Sequence, residues 1–363
     1  MIERVKIAAA LGKVTDPETG RSLMAVNRVQ DLETEGNNVN FTIVLPSLNK
    51  DYKSQLNFAC IQAIQEIYPD AEVNIHVKAF APGAEVSASP KPHIANVIAV
   101  ASGKGGVGKS TVSVNLALSL KAQGATVGLL DADVYGPSIP TMFGLQGARP
   151  KVENLYGKPA IRPLEAHGIS LISMGFIIEP EQAVVLRGPR LGGIIKQFVN
   201  DVVWPPLDYL IVDLPPGTGD VQLTLVQTVP VTGAVMVTTP QEVAYADAIK
   251  AMNMFRLPSV NVPILGIVEN MAWFTPAELP NSKYYIFGKG GGKRLAKDAN
   301  SMLLGQIPLV QSVREGGDDG KPAVLSDKGI IKDSFTKIAL NTVKQVNLRN
   351  EMMPPTHIVK TES

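Results

Sequence analysis

The sequence predicts an α/β protein, a mostly parallel, doubly wound sheet with a small α+β domain at its N-terminus. From residue 96 onward, short apolar runs alternate with helical patterns, which is typical of a parallel sheet covered by helices. A glycine-rich loop separates the first of these runs from the next helical pattern. Two later runs end in aspartates, where open α/β sheets bind their ligands.

The composition favours a globular, cytoplasmic protein of two domains. A chain of 363 residues with 45% apolar content can form two domains with a sizeable core. The net charge of +1 provides no basic field for nucleic acid or anionic lipid. A single cysteine excludes an internal disulfide and favours a reducing compartment. The apolar stretch near the start is too short for a signal peptide, and we expect no stable membrane insertion.

Residues 1–80 predict a compact α+β domain. Its strand-like and helical patterns fall at residues 26–29, 39–45, 53–68 and 73–77. On the helix, Cys60 shares an apolar face with Leu56 and Ile64. We therefore expect Cys60 to pack as a small apolar residue rather than to act as a reactive or metal-linked thiol. Residues 81–95 are small and proline-rich, which is typical of a linker.

A strand, a glycine loop and a helix open the second domain, residues 96–349. The loop comprises Gly103, Lys104, Gly105, Gly106, Val107, Gly108, Lys109, Ser110 and Thr111. It reads G-x-x-x-x-G-K-S, the pattern of a phosphate-binding loop (P-loop), whose backbone N–H groups and helix N-terminus surround a polyphosphate. We expect Lys109 to contact the outer phosphates during catalysis and Ser110 to ligate magnesium. The strand–loop–helix context disfavours the alternative, an ordinary glycine-rich turn.

Lys104 is a second lysine in the same loop, five residues before Lys109. Two ammonium groups on one anion would repel each other unless each met its own phosphate oxygens. The string K-G-G-V-G-K-S-T resembles the deviant P-loop ATPases, the class of MinD, ParA and nitrogenase iron protein. That resemblance implies a catalytic Lys104 that crosses a homodimer interface to the partner's nucleotide.

Three aspartates follow predicted strands near the loop. Asp131 and Asp133 follow the run 126–130, and Asp213 follows the run 209–212. Asp213 occupies the Walker B position, which holds the magnesium shell. By resemblance to the same class, Asp133 positions the attacking water, and Asp131 supports magnesium. A solvated turn is the alternative for the first pair.

The nucleotide base is assigned to two later positions. Asn270 follows the predicted strand 264–269, and the class uses an asparagine there to read adenine. Pro308 follows the last strand, where backbone flanks the base in that class. No N-K-x-D guanine motif follows a strand of this domain, which favours ATP over GTP. The run Gly288 to Lys293 resembles a second phosphate loop in sequence. It lacks a preceding buried strand, so we expect a turn that leads into a helix.

The chain ends in an amphipathic helix and a short tail. Apolar positions recur at Phe335, Ile338, Ala339, Val343 and Val346. We expect this face to dock on the sheet; a membrane-surface helix is the alternative, and its polar face is only moderately basic. We expect residues 350–363 to be disordered.

Six motifs follow one another behind the N-terminal domain: G-K-G-G-V-G-K-S-T, D-A-D-V-Y-G-P-S, L-R-G-P, D-L-P-P-G-T-G-D, E-N-M and F-G-K-G-G-G-K. In this order they resemble the Mrp/ApbC family over nearly the whole chain. The resemblance implies an ATP-hydrolysing homodimer with ATP and Mg²⁺ as cofactors. It also implies an iron–sulfur cluster held between two subunits and passed to apoprotein clients or assembly factors.

The cluster ligands of that family are missing. Its C-x-x-C pair falls after the E-N-M strand, where residues 271–278 contain no cysteine. Iron–sulfur clusters are held chiefly by cysteine thiolates. Two other functions therefore stay open: a dimeric, ATP-driven scaffold or assembly factor without its own cluster, and a positioning ATPase like MinD or ParA. The extra N-terminal domain disfavours the second.

Overall fold

The computed structural model describes residues 4–16, 22–24, 28–45, 50–79, 94–134, 136–155, 158–177, 188–228, 230–258, 260–276, 278–326 and 329–354. The chain divides into two compact units, residues 1–91 and 92–363. The first strand of the second unit begins at Ile94, inside the stretch predicted as linker; residues 81–93 lie outside the described residues.

The first unit is a small sheet with two helices. Its elements are α1 (Arg4–Leu11), β1 (Val29–Glu35), β2 (Asn38–Leu45), α2 (Lys50–Gln65) and β3 (Glu72–Ala79). Within the described residues the strand order is β1-β2-β3, with β1 antiparallel and β3 parallel to β2. Of the strand predicted at residues 26–29, residues 26 and 27 lie outside the described residues, and β1 begins at Val29. A hairpin turn at Gly36, with a φ of +60°, joins β1 to β2.

The second unit is a large sheet with helices on both faces. Its first half comprises β4 (Ile94–Ser102), α3 (Lys109–Ala122), β5 (Val127–Asp131), α4 (Ile139–Met142), β6 (Lys151–Leu155), β7 (Lys158–Arg162), β8 (Leu164–Ala166), β9 (Ile169–Ser173), a 3₁₀ turn (Met174–Phe176) and α5 (Gly188–Asn200). Its second half comprises β10 (Leu207–Asp213), α6 (Asp220–Thr228), β11 (Gly233–Thr238), α7 (Glu242–Arg256), β12 (Ile264–Glu269), α8 (Gly291–Asp298), β13 (Leu303–Gln306), α9 (Gln311–Asp318), α10 (Ala323–Ser326) and α11 (Ile330–Met352).

The strand order brings the predicted site residues to one edge. In the part of the chain that the structure describes, the order is β13-β12-β11-β4-β10-β5-β9-β8, and only β8 is antiparallel to its neighbour. Strand β10 lies between β4 and β5, so Asp213 is paired with both Val100 and Asp131. The carboxyl ends of parallel strands meet at one edge of a sheet. The P-loop and the aspartates therefore share that edge, and the predicted α/β fold class is confirmed.

Helix α11 packs on the sheet as its apolar pattern predicted. Phe335 and Ile338 are fully buried, and Gly305 of β13 leaves the space that the Ile338 side chain fills. The helix continues to Met352, so the expectation of disorder from residue 350 was wrong for its first residues; residues 355–363 lie outside the described residues. No helix in the described ranges is long and apolar enough to cross a membrane.

Candidate nucleotide-binding site

The P-loop links β4 to α3 in a conformation that needs its glycines. Gly106 and Gly108 adopt φ values of +78° and +83°, and Gly108 is the N-cap of α3. Gly103 lies so close to the backbone of Asp247 and Ala248 on α7 that a Cβ would overlap it. The loop is thus pressed between the sheet and α7, and its backbone turns at the N-terminus of α3, where a helix dipole favours an anion.

Lys109 lies between two carboxylates. Its Nζ is 2.8 Å from Oδ2 of Asp213 and 3.4 Å from Oδ2 of Asp133. Burial alone would lower the pKa of Lys109, but the negative charges of Asp213 and Asp133 outweigh it and raise the pKa above its usual value. Lys109 is therefore a buried, fully charged cation, and incoming phosphate oxygens would meet it in that state.

Asp213 is held by three donors from α3. Its Oδ2 accepts from Lys109 and, at 2.6 Å, from the hydroxyl of Ser110. Its Oδ1 accepts at 2.6 Å from the hydroxyl of Ser113, which is fully buried. Ser113 was not among the residues predicted from the sequence. The signal was a serine on the buried face of α3, one helical turn after the P-loop lysine.

Asp131 lies behind the site rather than within it. The side chain is fully buried, its Oδ1 accepts from the backbone N–H of Asp133 at 3.0 Å, and its Oδ2 accepts from the Ser173 hydroxyl at 2.7 Å. Burial, and next the charge of Asp213, raise the pKa of Asp131 to about 8. Both oxygens are engaged within the protein. Through the first of these bonds Asp131 fixes the backbone of Asp133, and its support of magnesium stays a prediction.

The loop after β10 is organised by Gln222, another residue that was not predicted from the sequence. The fully buried Gln222 amide donates to the carbonyls of Pro215 and Gly217, at 3.0 and 3.1 Å, and accepts from the N–H of Gly219 at 2.9 Å. The N–H of Gly217 donates to the carbonyl of Ser102 at 2.9 Å, next to the P-loop. This loop is therefore tied to the start of the P-loop.

Lys104 has a partner other than the three aspartates. It is half-buried, and its Nζ lies 3.4 Å from Oε1 of Gln241, the residue before α7. The two P-loop lysines thus have separate partners, as their mutual repulsion requires. Contact with a partner's phosphates stays a prediction.

A cavity of about 380 Å³ opens beside the P-loop. Gly108 and Thr111 line it from the loop side, and Asn270 and Pro308 line it from the ends of β12 and β13. The amide nitrogen of Asn270 donates to the carbonyl of Val107 at 2.9 Å, and Asn270 itself is 7% exposed. The two residues predicted to contact a base therefore lie in one cavity next to the predicted phosphate site.

The glycine–lysine run at residues 288–293 is a helix-leading turn, as predicted. Helix α8 begins at Gly291, and its N-terminus is filled by the buried carboxylate of Glu269, whose Oε2 accepts from the N–H of Gly292 at 2.5 Å. Gln306 donates to the other oxygen at 2.6 Å. Because the protein's own carboxylate fills the helix N-terminus, this run is not a second phosphate site.

Cys60 is fully buried on α2, as predicted, and burial raises the pKa of its thiol to about 12.

After β12, Phe274 forms isolated bridges with Tyr284 and Leu309, and its side chain is exposed. Among the described residues, no group of three or more His, Cys, Asp or Glu side chains could hold a metal ion. With one cysteine in its sequence, a single copy cannot supply the several thiolates that ordinarily hold an iron–sulfur cluster.

The protein is a P-loop NTPase. It has the parallel sheet of that class, and its P-loop lysine and serine contact the aspartate at the end of β10. The chain belongs to the family of NUBPL iron-transfer P-loop NTPases, whose family model matches residues 93–344. A second family model, described as an iron-sulfur cluster assembly protein, matches residues 4–77. The resemblance to iron–sulfur carrier ATPases that the motifs predicted is confirmed.

Relatives in other organisms support the same family. The chain is 47% identical over 351 residues to an iron-sulfur cluster carrier protein of Synechocystis, covering 96% of this chain and 99% of that protein. It is 44% identical to an iron-sulfur cluster carrier protein of Deinococcus radiodurans, covering 94% of this chain and 95% of that one.

Two solved structures are similar in fold. A nucleotide-binding protein of Archaeoglobus fulgidus in complex with ADP is 39% identical, covers 63% of this chain and 88% of its own, and gives a TM-score of 0.55. The cell division ATPase MinD of Pyrococcus furiosus is 22% identical, covers 69% of this chain and 99% of its own, and gives a TM-score of 0.52. The second likeness concerns the fold alone.

Proposed function

We propose that this protein is an ATP-hydrolysing homodimer that works in iron–sulfur cluster transfer in the cytoplasm. The observation that carries the ATPase part is the charged Lys109, held between Asp213 and Asp133 at the N-terminus of α3. A buried cation at this position gives a polyphosphate a charge-assisted contact. The carrier names of the relatives, found over nearly the whole chain, support the iron–sulfur part.

In this proposal, phosphate oxygens compete with Asp213 for Lys109. The backbone N–H groups of residues 103–111 and the α3 N-terminus bind the remaining phosphate charge. The Ser110 hydroxyl and the Asp213 carboxylate, which lie 2.6 Å apart, are hard oxygen donors of the kind that Mg²⁺ takes together with nucleotide phosphates. Bound there, Mg²⁺ would neutralise charge that develops on the phosphates.

Asp133 is the residue that we assign to the attacking water. Its Oδ2 already lies 3.4 Å from the Lys109 ammonium, so its carboxylate faces the position of the outer phosphate. Asp131 and Ser173 hold the backbone of Asp133 in place. Lys104 acts on the phosphates of a second copy, since its partner in its own subunit is Gln241 rather than these aspartates.

Adenine is the base that the cavity favours. Because the Asn270 amide nitrogen is engaged with the Val107 carbonyl, its Oδ1 is the atom left to read a base. An oxygen acceptor pairs with the exocyclic amino group of adenine, whereas guanine presents an oxygen at the corresponding position. Backbone at Pro308 flanks the base in the same cavity.

The cluster would be a cargo rather than a resident cofactor, and this chain's own side chains do not fit it. The one cysteine of the sequence is fully buried in the first unit. That observation favours a second candidate function, a dimeric assembly factor whose ATP cycle docks clients or assembly partners without a cluster of its own. No step of hydrolysis depends on which of the two holds.

The ATPase proposal is tested with three variants and calorimetric titration of ATP. Lys109→Ala should weaken ATP binding by about 10- to 150-fold, because a hydrogen bond to a charged group is worth about 1.5–3 kcal/mol. Asp133→Asn should keep ATP affinity and slow turnover, because the phosphate contacts remain. Lys121→Ala, on the exposed last turn of α3, is the matched lysine control. Unchanged ATP affinity in Lys109→Ala would refute the phosphate site.

The two iron–sulfur functions are separated by anaerobic reconstitution with iron and sulfide. A carrier should take up stoichiometric iron and show charge-transfer absorbance, and Cys60→Ala should not change this, since a buried thiol of high pKa is a poor ligand. Substoichiometric iron without that absorbance would support the assembly factor. Loss of iron in Cys60→Ala would show that Cys60 leaves the core, against its burial.

A further inference from the structure

The base cavity has two helical walls that come from distant parts of the chain. Helix α4 contributes Thr141 and Met142, and helix α9 contributes Val313, Arg314 and Gly317. The distance between these walls sets the space for a planar base. What holds α4 and α9 together therefore decides how closely a purine ring is held beside Asn270, and this question rests on the proposed nucleotide-binding function.

Helix α4 is anchored in the core, and α9 is not. Ile139 and Phe143, at the two ends of α4, are buried in the core that packs on α3. No residue of α9 is buried, although Val313 packs against the same core from a partly exposed position. The glycine pair at residues 316–317 further weakens α9, because glycine disfavours a helix interior. Contacts with α4 and α10, together with Val313, therefore hold α9 in place, and of these only the α4 contact borders the cavity.

The chain segments just after the two helices touch backbone to backbone. Gly144 and Gly320 both adopt left-handed conformations, with φ values of +65° and +70°. A Cβ on Gly320 would lie 2.6 Å from both the Cα and the nitrogen of Gly144, a distance at which backbone must move. A Cβ on Gly144 would lie 3.8 Å from Gly320, an ordinary contact. Only glycine at position 320 permits the observed approach.

We propose that the Gly144–Gly320 contact is a specificity-determining element of the base site, which keeps α4 and α9 close enough to hold a purine ring where the Asn270 Oδ1 can read it. The rest of the α4–α9 contact supports this. Gly317 faces the Met142 side chain, with 3.9 Å between its Cβ position and the Met142 Cγ. Gly317 on α9 and Gly320 just after it thus meet Met142 on α4 and Gly144 just after that helix. Separation of the walls at Gly320 would widen the cavity and leave the P-loop unchanged.

The test is a graded series of alanine substitutions at three left-handed glycines. Gly320→Ala introduces the backbone clash, and Gly144→Ala introduces an ordinary contact. Gly147→Ala is the matched control, because its φ is +74° and its Cβ would meet nothing within 4 Å. All three carry the same kind of backbone strain, so that strain cancels in the comparison. Affinities for Mg²⁺-ATP, Mg²⁺-GTP and inorganic tripolyphosphate are measured by calorimetry or by competition.

Gly320→Ala should lower ATP affinity about tenfold, in the range expected for overpacking, and should lower the ATP-to-GTP ratio with it. Tripolyphosphate affinity should stay within about twofold of wild type, because the P-loop contacts are untouched. Gly144→Ala and Gly147→Ala should both keep the wild-type ratio. An unchanged ratio in Gly320→Ala, or equal losses in all three variants, would overturn the inference.

Met142→Ala provides a second route if Gly320→Ala does not fold. It removes the α4 side chain that faces Gly317 without any backbone clash, so it should lower the ATP-to-GTP ratio in the same direction. An unchanged ratio in a folded Met142→Ala protein would also contradict the inference. If wild type binds neither nucleotide, the proposed function fails; if wild type prefers ATP and the variants keep that preference, only this inference fails.

Discussion

Replacement of Ser113 by alanine tests how the site holds Asp213 while it binds magnesium. In the structure Asp213 accepts from Lys109, Ser110 and Ser113, at 2.8, 2.6 and 2.6 Å. Phosphate would draw Lys109 away and Mg²⁺ would occupy Ser110, so Ser113 alone would continue to orient the carboxylate. Loss of one hydrogen bond to a charged, fully buried group is worth about 1.5–3 kcal/mol, or about 10- to 150-fold in affinity.

The assay is ATP titration with and without Mg²⁺. We expect Ser113→Ala to bind ATP normally without Mg²⁺ and to lose most of the increase in affinity that Mg²⁺ gives. Ser113→Thr, which keeps a hydroxyl, should retain much of that increase. Ser119→Ala, a buried serine six residues further along α3, controls for the loss of a hydroxyl from the helix. A full Mg²⁺ effect in Ser113→Ala would refute the reasoning.

Three further predictions concern the dimer, the buried acid and the thiol. ATPase activity per subunit should rise with protein concentration, and a mixture of Lys104→Ala and Lys109→Ala should recover part of it; inactive mixed dimers would exclude action in trans. Because the pKa of Asp131 is raised to about 8, the folded protein keeps this proton longer than the unfolded chain does. The free energy of unfolding in urea should therefore fall as pH rises from about 4 toward 8. Asp131→Asn should flatten that slope, and equal slopes in both proteins would contradict the raised pKa. Cys60→Ala should lower the free energy of unfolding by about 1 kcal/mol and leave ATPase rate unchanged; rapid labelling of the native thiol would contradict its burial.

The sequence predicted most of what is local. The P-loop lies between β4 and α3, because its glycines and its lysine–serine pair form a contiguous signal. The apolar faces of α2 and α11 correctly predicted that Cys60 and Phe335 are buried. The hairpin turn at Gly36 that joins β1 to β2 was not predicted, because the pattern at residues 26–29 carries no signal for it.

The contacts in the site between residues from different parts of the chain depend on tertiary structure. Ser113 and Gln222 lack motif positions, and only the pairing of β10 beside β4 places them on Asp213 and on the loop that follows it. The hydrogen bond between Asp131 and Ser173 joins two strands at positions 42 residues apart, and no local pattern predicts it.

By itself, the sequence determined the class of fold, the position of the phosphate loop and of the aspartates, and the absence of the family's cysteine pair. Each of these depends on residues that are neighbours in the chain. Only the tertiary structure decided which groups surround Asp213, that Glu269 fills the second glycine–lysine turn, and that Gly144 meets Gly320 beside the base cavity. Those contacts join residues far apart in the chain. Their distances are set by strand order and helix packing, which no local pattern encodes.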